Sequence, residues 1–128
     1  MRQNIPGSSP YEPIIGFSRA VRVGNTIHVA GTGPVGADEA DIFTQTRKIF
    51  EIAGTALNQA GSSLTDVVRT RIYLTHANDW EAVGTVHGEF FREIRPAATM
   101  LVVAALLNPK WRVEIEFDAI IPEIRAES

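Results

Sequence analysis

Only two stretches of this chain carry apolar residues at helical spacing, and that scarcity constrains the fold more than any other feature. From Asp41 to Ala60, residues Ile42, Ile49, Ala53, Ala56, Leu57 and Ala60 recur every three or four positions, and Gly61 stands where a C-terminal cap belongs. A second stripe, Trp80, Val83, Phe90, Phe91 and Ile94, predicts a helix from a cap at Asn78 or Asp79 to about Glu93, ended by Pro96. Nearly everything else that is patterned alternates at period two. Two helices can cover only one face of a sheet.

The strands follow from that alternation. "AVRVGNTIHVAG", residues 20–31, reads as a hairpin about Gly24-Asn25, because both residue types tolerate the positive φ of a tight turn. "DVVRTRIYLT" reads as a strand with Val68, Thr70, Ile72 and Leu74 on one side and Arg69, Arg71 and Tyr73 on the other. Two further strands are predicted, roughly Thr99 to Ala105 and Arg112 to Ile121, joined by the "NPKW" loop. The order is β-β-α-β-α-β-β, an α+β class, in a single domain spanning 1–128 whose first 16 residues read as irregular. Strand parity puts Arg22, His28, Arg69, Arg71, Tyr73, Glu114, Glu116 and Asp118 on the face without helices. A solvated surface and a polar cavity enclosed by several copies of the sheet both account for such a face.

Composition removes several classes of function. No run approaches the roughly 18 apolar residues that span a bilayer, and the polar start "MRQNIPGSSPYEP" lacks the apolar core of a secretory signal. A net charge of −3 without a basic run gives no electrostatic reason to bind nucleic acid. Zero cysteines leave no disulfide framework and suit a reducing, cytoplasmic setting. The three histidines, His28, His76 and His87, show no metal-binding spacing, so neither a metal nor a cofactor is expected. "GTGP" at residues 31–34 lacks the phosphate-loop pattern, although the backbone N–H groups of Gly31 and Thr32 remain candidates to face a ligand.

Glu114 and Glu116 lie two apart on one strand face, roughly 7 Å between Cα positions by strand rise. Carboxylates so placed can raise each other's pKa. Arg71 shares their face and has two readings: an anchor for an anionic ligand, or a structural partner of Glu114 or Glu116. His87 falls near the centre of the second apolar stripe, either as a buried neutral ring bonded to a carbonyl or as a proton shuttle.

The ordered set "GFSRAVRVGNTIHVAG", "QTRKIFEIAGTALNQAGSSLTDVVRTRIYLT", "NDW" and "RPAATMLVVAALLNPKWRVEIEFDAI" resembles the Rid family (RidA/YjgF, reactive intermediate deaminases, also labelled L-PSP endoribonuclease), from about Phe17 to Ile121. The resemblance implies a chorismate-mutase-like fold: a sheet of about six strands with two helices on one face. It also implies a homotrimer around a central barrel, with three clefts between neighbouring subunits for a small organic ligand. In the deaminating branch a Pro-Ala-Arg-Ser motif supplies the arginine that binds the carboxylate of a 2-imino acid. Here the motif reads Pro96-Ala97-Ala98-Thr99, so the arginine is Ala98. A family tyrosine falls on Phe17 and an asparagine on Gly84, whereas Glu114, which helps place the hydrolytic water in active relatives, Gly31 and a hydroxyl at Thr99 survive.

By resemblance, then, Glu114 and Thr99 are the catalytic candidates. Phe17, Arg19, Gly31, Thr32, Arg71, His87 and Ala98 are the candidates to line the binding cleft, Arg71 and His87 from their places on strand and helix, with Arg71 or Arg19 as a provisional substitute anchor. The expectation is an imine or enamine hydrolase with weak activity on simple 2-imino acids. The alternative is a non-catalytic metabolite sensor or partner-binding trimer, and net acidity disfavours the third reading, ribonuclease.

Overall fold

In the computed structural model, which describes residues 1–123, one six-stranded sheet carries two main helices on a single face. Strands β2 (Ala20–Val23) and β3 (Thr26–Thr32) make the expected hairpin, and Val23 opposite Thr26 leaves a two-residue turn. Only Gly24 there enters the left-handed region, at φ 59°, which fits a turn needing glycine at its first central position.

Helix α1 (Ile42–Gln59) starts where Asp41 accepts a hydrogen bond from the Thr44 N–H at 2.8 Å and is followed by Gly61 at φ 85°. Strand β4 (Val67–Leu74), helix α2 (Trp80–Phe91) and strand β5 (Ala97–Val102) form a crossover unit, with β4 and β5 parallel. A tight turn cannot join parallel neighbours, so the chain needs α2 to return. Strand β6 (Val113–Ile120) then lies between β3 and β4, antiparallel to both.

The core sits between the helices and the sheet. Phe50 of α1 meets Phe91 of α2 at 5.3 Å and Phe117 of β6 at 5.5 Å between ring centroids, both edge-on. Burying each ring contributes roughly 1.5–3 kcal/mol. Gln45, also buried, ties α1 to the loop before β6: its amide donates to the Lys110 carbonyl at 3.0 Å and accepts from the Arg112 N–H at 3.0 Å.

Several expectations are corrected. The N-terminal segment is not irregular throughout, because β1 (Arg2–Ile5) pairs with β2 at the sheet edge and a helical turn spans Glu12–Gly16. Of the four β1 residues only Ile5 is buried, so no alternation betrays the strand. Arg22 lies on the helix side: the hairpin register sets it opposite the buried Ile27, and its Nη1 donates to the Ala60 carbonyl at the end of α1 at 2.8 Å. Val68 points away from the core because a bulge between Val67 and Arg69 inserts one residue against β6 and reverses the parity. Trp80, the first residue of α2, is 59% exposed, and Val86 fills the stripe instead. Asp79 makes no side-chain cap; it is buried and accepts two bonds from Arg112, at 3.0 and 2.6 Å. Strand β5 starts and ends earlier than expected, at Ala97 and Val102.

Candidate functional site

Because Val113, Ile115, Phe117 and Ala119 are buried under the helices, the intervening Glu114, Glu116 and Asp118 must stand on the open face. Cross-strand register brings Tyr73 opposite Glu114, Arg71 opposite Glu116, and both Arg69 and His28 opposite Asp118. Arg71 donates to Asp118 Oδ2 at 2.9 Å and lies 3.6 Å from Glu116, while His28 Nδ1 is 2.7 Å from Asp118 Oδ1. Burial pushes the Asp118 carboxyl up, but the bonds from His28 and Arg71 outweigh it and hold the pKa below the ordinary value. Arg71 is thus paired, with Asp118 and Glu116 rather than with Glu114.

Glu114 is set by a different device. Between Val29 and Thr32, strand β3 carries one residue more than its partner β6, a bulge at Ala30-Gly31. Arg19 Nη2 bridges the two bulge carbonyls, at 2.9 Å from Ala30 and 2.7 Å from Gly31. Gly31 allows the Glu114 carboxylate to lie against the backbone: a Cβ there would stand 2.4 Å from Glu114 Oε2. Among the described residues nothing hydrogen-bonds to the Glu114 carboxylate and no cation comes within 4.0 Å of it. Burial raises its pKa, with the nearby charge of Arg19 opposing and that of Glu116 reinforcing the shift. Arg19 itself is lowered by burial against the pull of Glu12 and Glu114. A half-buried carboxylate with free lone pairs and a raised pKa can take a proton from water or accept a bond from a ligand.

Other expected residues fall elsewhere. Phe17 and Arg71 line a cavity of about 540 Å³ on the open face, with Glu12, Ser18, His28 and Glu116, but Glu114 does not line it. Thr32 is fully buried, its hydroxyl donating to the Ala30 carbonyl at 2.8 Å, because the bulge turns it inward. Thr99 stands in register with Arg71 on β5, two strands from Glu114, and accepts from Arg69 Nη2 at 3.1 Å. Ala98 is in register with the buried Thr70 and so belongs to the helix side of the sheet. There too lies His87, whose Nε2 is 2.9 Å from Thr70 Oγ1, a hydroxyl rather than the expected carbonyl; burial lowers its pKa.

Within one chain, therefore, Glu114, Gly31 and Arg19 form one group, and Ala98, Thr70 and His87 another on the opposite face. Sequence reasoning missed Tyr73 as the residue beside Glu114, since parity shows a face but not a cross-strand partner. Among the described residues no three His, Cys, Asp or Glu side chains converge as a metal site, and no helix is long and apolar enough to cross a membrane.

The sequence profile of the family described as Endoribonuclease L-PSP matches residues 7–121. A crystal structure of a YjgF-family protein from Mycobacterium tuberculosis is 45% identical, with a TM-score of 0.89 over 94% of this chain and all of that one. The chain belongs to the Rid family. Among its Rid relatives, a RutC family protein of Pyrococcus abyssi is 39% identical over 85% of this chain and 87% of its own length. A protein of Dermatophagoides farinae named 2-iminobutanoate/2-iminopropanoate deaminase is 33% identical over 86% and 89%. The Rid sheet and helices are those of this chain, and some Rid proteins are thus named deaminases.

Proposed function

We propose that this Rid protein is a cytoplasmic homotrimer that binds a small organic molecule in clefts between subunits and hydrolyses it at an imine or related C–N centre. One observation carries the reading: the half-buried, unpartnered Glu114 carboxylate against the Gly31 bulge. Glu114 takes a proton from water as the water oxygen bonds to the imine carbon, and passes that proton to the nitrogen. Transfer of the adduct's hydroxyl proton to the nitrogen as the C–N bond breaks releases ammonia and leaves a carbonyl. Activity should rise with pH through the raised pKa of Glu114, because only the ionised form accepts the proton.

The assembly is supported by the two separate groups. Glu114 and Ala98 occupy opposite faces of one sheet, so a ligand touching both needs two copies. Strand β5 offers the edge for this, with Leu101 52% and Val102 57% exposed.

Alanine at position 98 predicts weak turnover of simple 2-imino acids. Losing one partner of a buried charge pair costs about 2–5 kcal/mol, or roughly 30-fold to several thousand-fold in binding. Arg19 and Arg71 do not make up the loss, being engaged with the bulge carbonyls and with Asp118. The test couples an amino-acid oxidase to semicarbazide competition, comparing the natural chain with Ala98→Arg. Little protection by the natural chain and a gain by the variant are expected; strong protection by the natural chain would refute the reading. The same engaged arginines favour a second reading, binding without turnover, which gains if Glu114→Ala changes no rate on any imine tried.

A further inference from the structure

The electrostatics of the two groups that meet in the proposed cleft point to a ligand unlike a 2-imino acid. On the Glu114 side Arg19, the cation whose charge reaches Glu114 among the described residues, spends its Nη2 on two carbonyls, and its Nε is buried without a partner among those residues. Arg71 is held by Asp118 and Glu116. Arg69 stands level with Asp118, four residues along β6 from Glu114, about 13 Å by strand rise. The carboxylate of Glu114 thus has open lone pairs, a second carboxylate nearby, and among the described residues only Arg19, beyond 4.0 Å, as a cation whose charge reaches it.

The Ala98 side offers hydrogen bonds in place of charge. His87 packs edge-on against Phe91 at 4.8 Å and Phe50 at 6.1 Å, and its Nε2 is bonded to Thr70, the neighbour of Ala98 across β4 and β5. One turn earlier on α2, Gly84 leaves space, since a Cβ there meets nothing within 4 Å. The Nδ1 of His87 has no hydrogen-bond partner among the described residues. Arg95 follows α2 on an exposed turn and donates its Nε to the Arg92 carbonyl at 3.0 Å.

We propose that the cleft takes a neutral or cationic nitrogen compound without a carboxylate, its N–H groups donated to Glu114 of one copy and its far side meeting the His87 ring of the next. This rests on the reading that Glu114 faces a ligand between subunits, and it adds the charge class of that ligand. A carboxylate beside Glu114 would meet the like charges of Glu114 and Glu116, offset only by the charge of Arg19, whereas an amidinium or amide N–H gains a charge-assisted bond.

The test titrates the full-length protein at low ionic strength and near-neutral pH with butyramidine, butyramide and butyrate, which share a skeleton and differ in head-group charge. Butyramidine is expected to bind at least about tenfold more tightly than butyrate, the factor given by roughly 1.4 kcal/mol from one charge-assisted bond. Glu114→Gln should remove its advantage over butyramide. His87→Phe, which keeps a ring against Phe50 and Phe91, should weaken butyramide several-fold. Butyrate binding as tightly as butyramidine, absence of binding by both nitrogen probes, or a preference unchanged in Glu114→Gln would overturn the inference. Glu114-dependent amidine binding without turnover of any imine would leave it standing and remove the hydrolase reading; efficient 2-iminopropanoate turnover with butyrate the tightest probe would do the reverse.

Discussion

Alanine at Gly31 and alanine at Gly33 are the same chemical change two residues apart, and the structure makes them fail differently. A Cβ at residue 31 would stand 2.4 Å from Glu114 Oε2, whereas one at residue 33 would stand 2.1 and 2.2 Å from Cζ3 and Cε3 of Trp111. To reach an ordinary contact near 3.4 Å, the carboxylate must retreat by about 1 Å and the indole by about 1.3 Å. The carboxylate can retreat, being the end of a flexible side chain without a hydrogen bond. An off-rotamer χ costs about 0.5–1.5 kcal/mol, and replacing glycine returns about 0.4–1 kcal/mol through the unfolded state. The net change for Gly31→Ala is therefore within about 1 kcal/mol.

The indole is rigid, and its Nε1–H donates to Asp38 at 2.8 Å, so Gly33→Ala is expected to cost about 1–3 kcal/mol by overpacking. Thermal unfolding of both variants checks this half. For the other half, carbon-detected NMR follows the Glu114 carboxyl, which titrates above the ordinary glutamate range in the natural protein because it is buried. In Gly31→Ala it should return toward that range as the group moves out. Any turnover should fall about 100-fold, the scale set by a 1 Å misplacement. Equal destabilisation by the two variants, or an unmoved Glu114 titration in Gly31→Ala, would refute the reasoning.

Glu114→Gln should stabilise the protein at neutral pH. Burial raises the folded-state pKa of Glu114, so its charge costs stability above that pKa and nothing below the unfolded value; unfolding at neutral and acid pH should show the advantage of Gln closing as pH falls. Arg112→Ala leaves the buried Asp79 carboxylate without its two-bond partner. With Arg112 40% exposed, the expected loss in urea unfolding is about 1–3 kcal/mol, below the roughly 3–5 kcal/mol of a fully buried pair.

Helices α1 and α2, the hairpin, the crossover strand and the polar face of β6 were legible because each rests on a periodicity carried by consecutive residues. That residue 114 is a glutamate and residue 98 an alanine was legible as well, since identity at a position needs no geometry. What sequence alone determined about this protein is thus its element order, its amphipathic faces and its side-chain inventory. The tertiary structure decided the rest through two single-residue bulges. That at Ala30-Gly31 turns Thr32 inward and frees the carbonyls that Arg19 binds; that at Val68 moves Val67 into the core. Parity counted along a chain cannot foresee an inserted residue, because the insertion is defined only against the partner strand. For the same reason the pairing of Arg71 with Asp118, the seat of Glu114 on Gly31 and the separation of Ala98 from Glu114 are properties of register between distant segments.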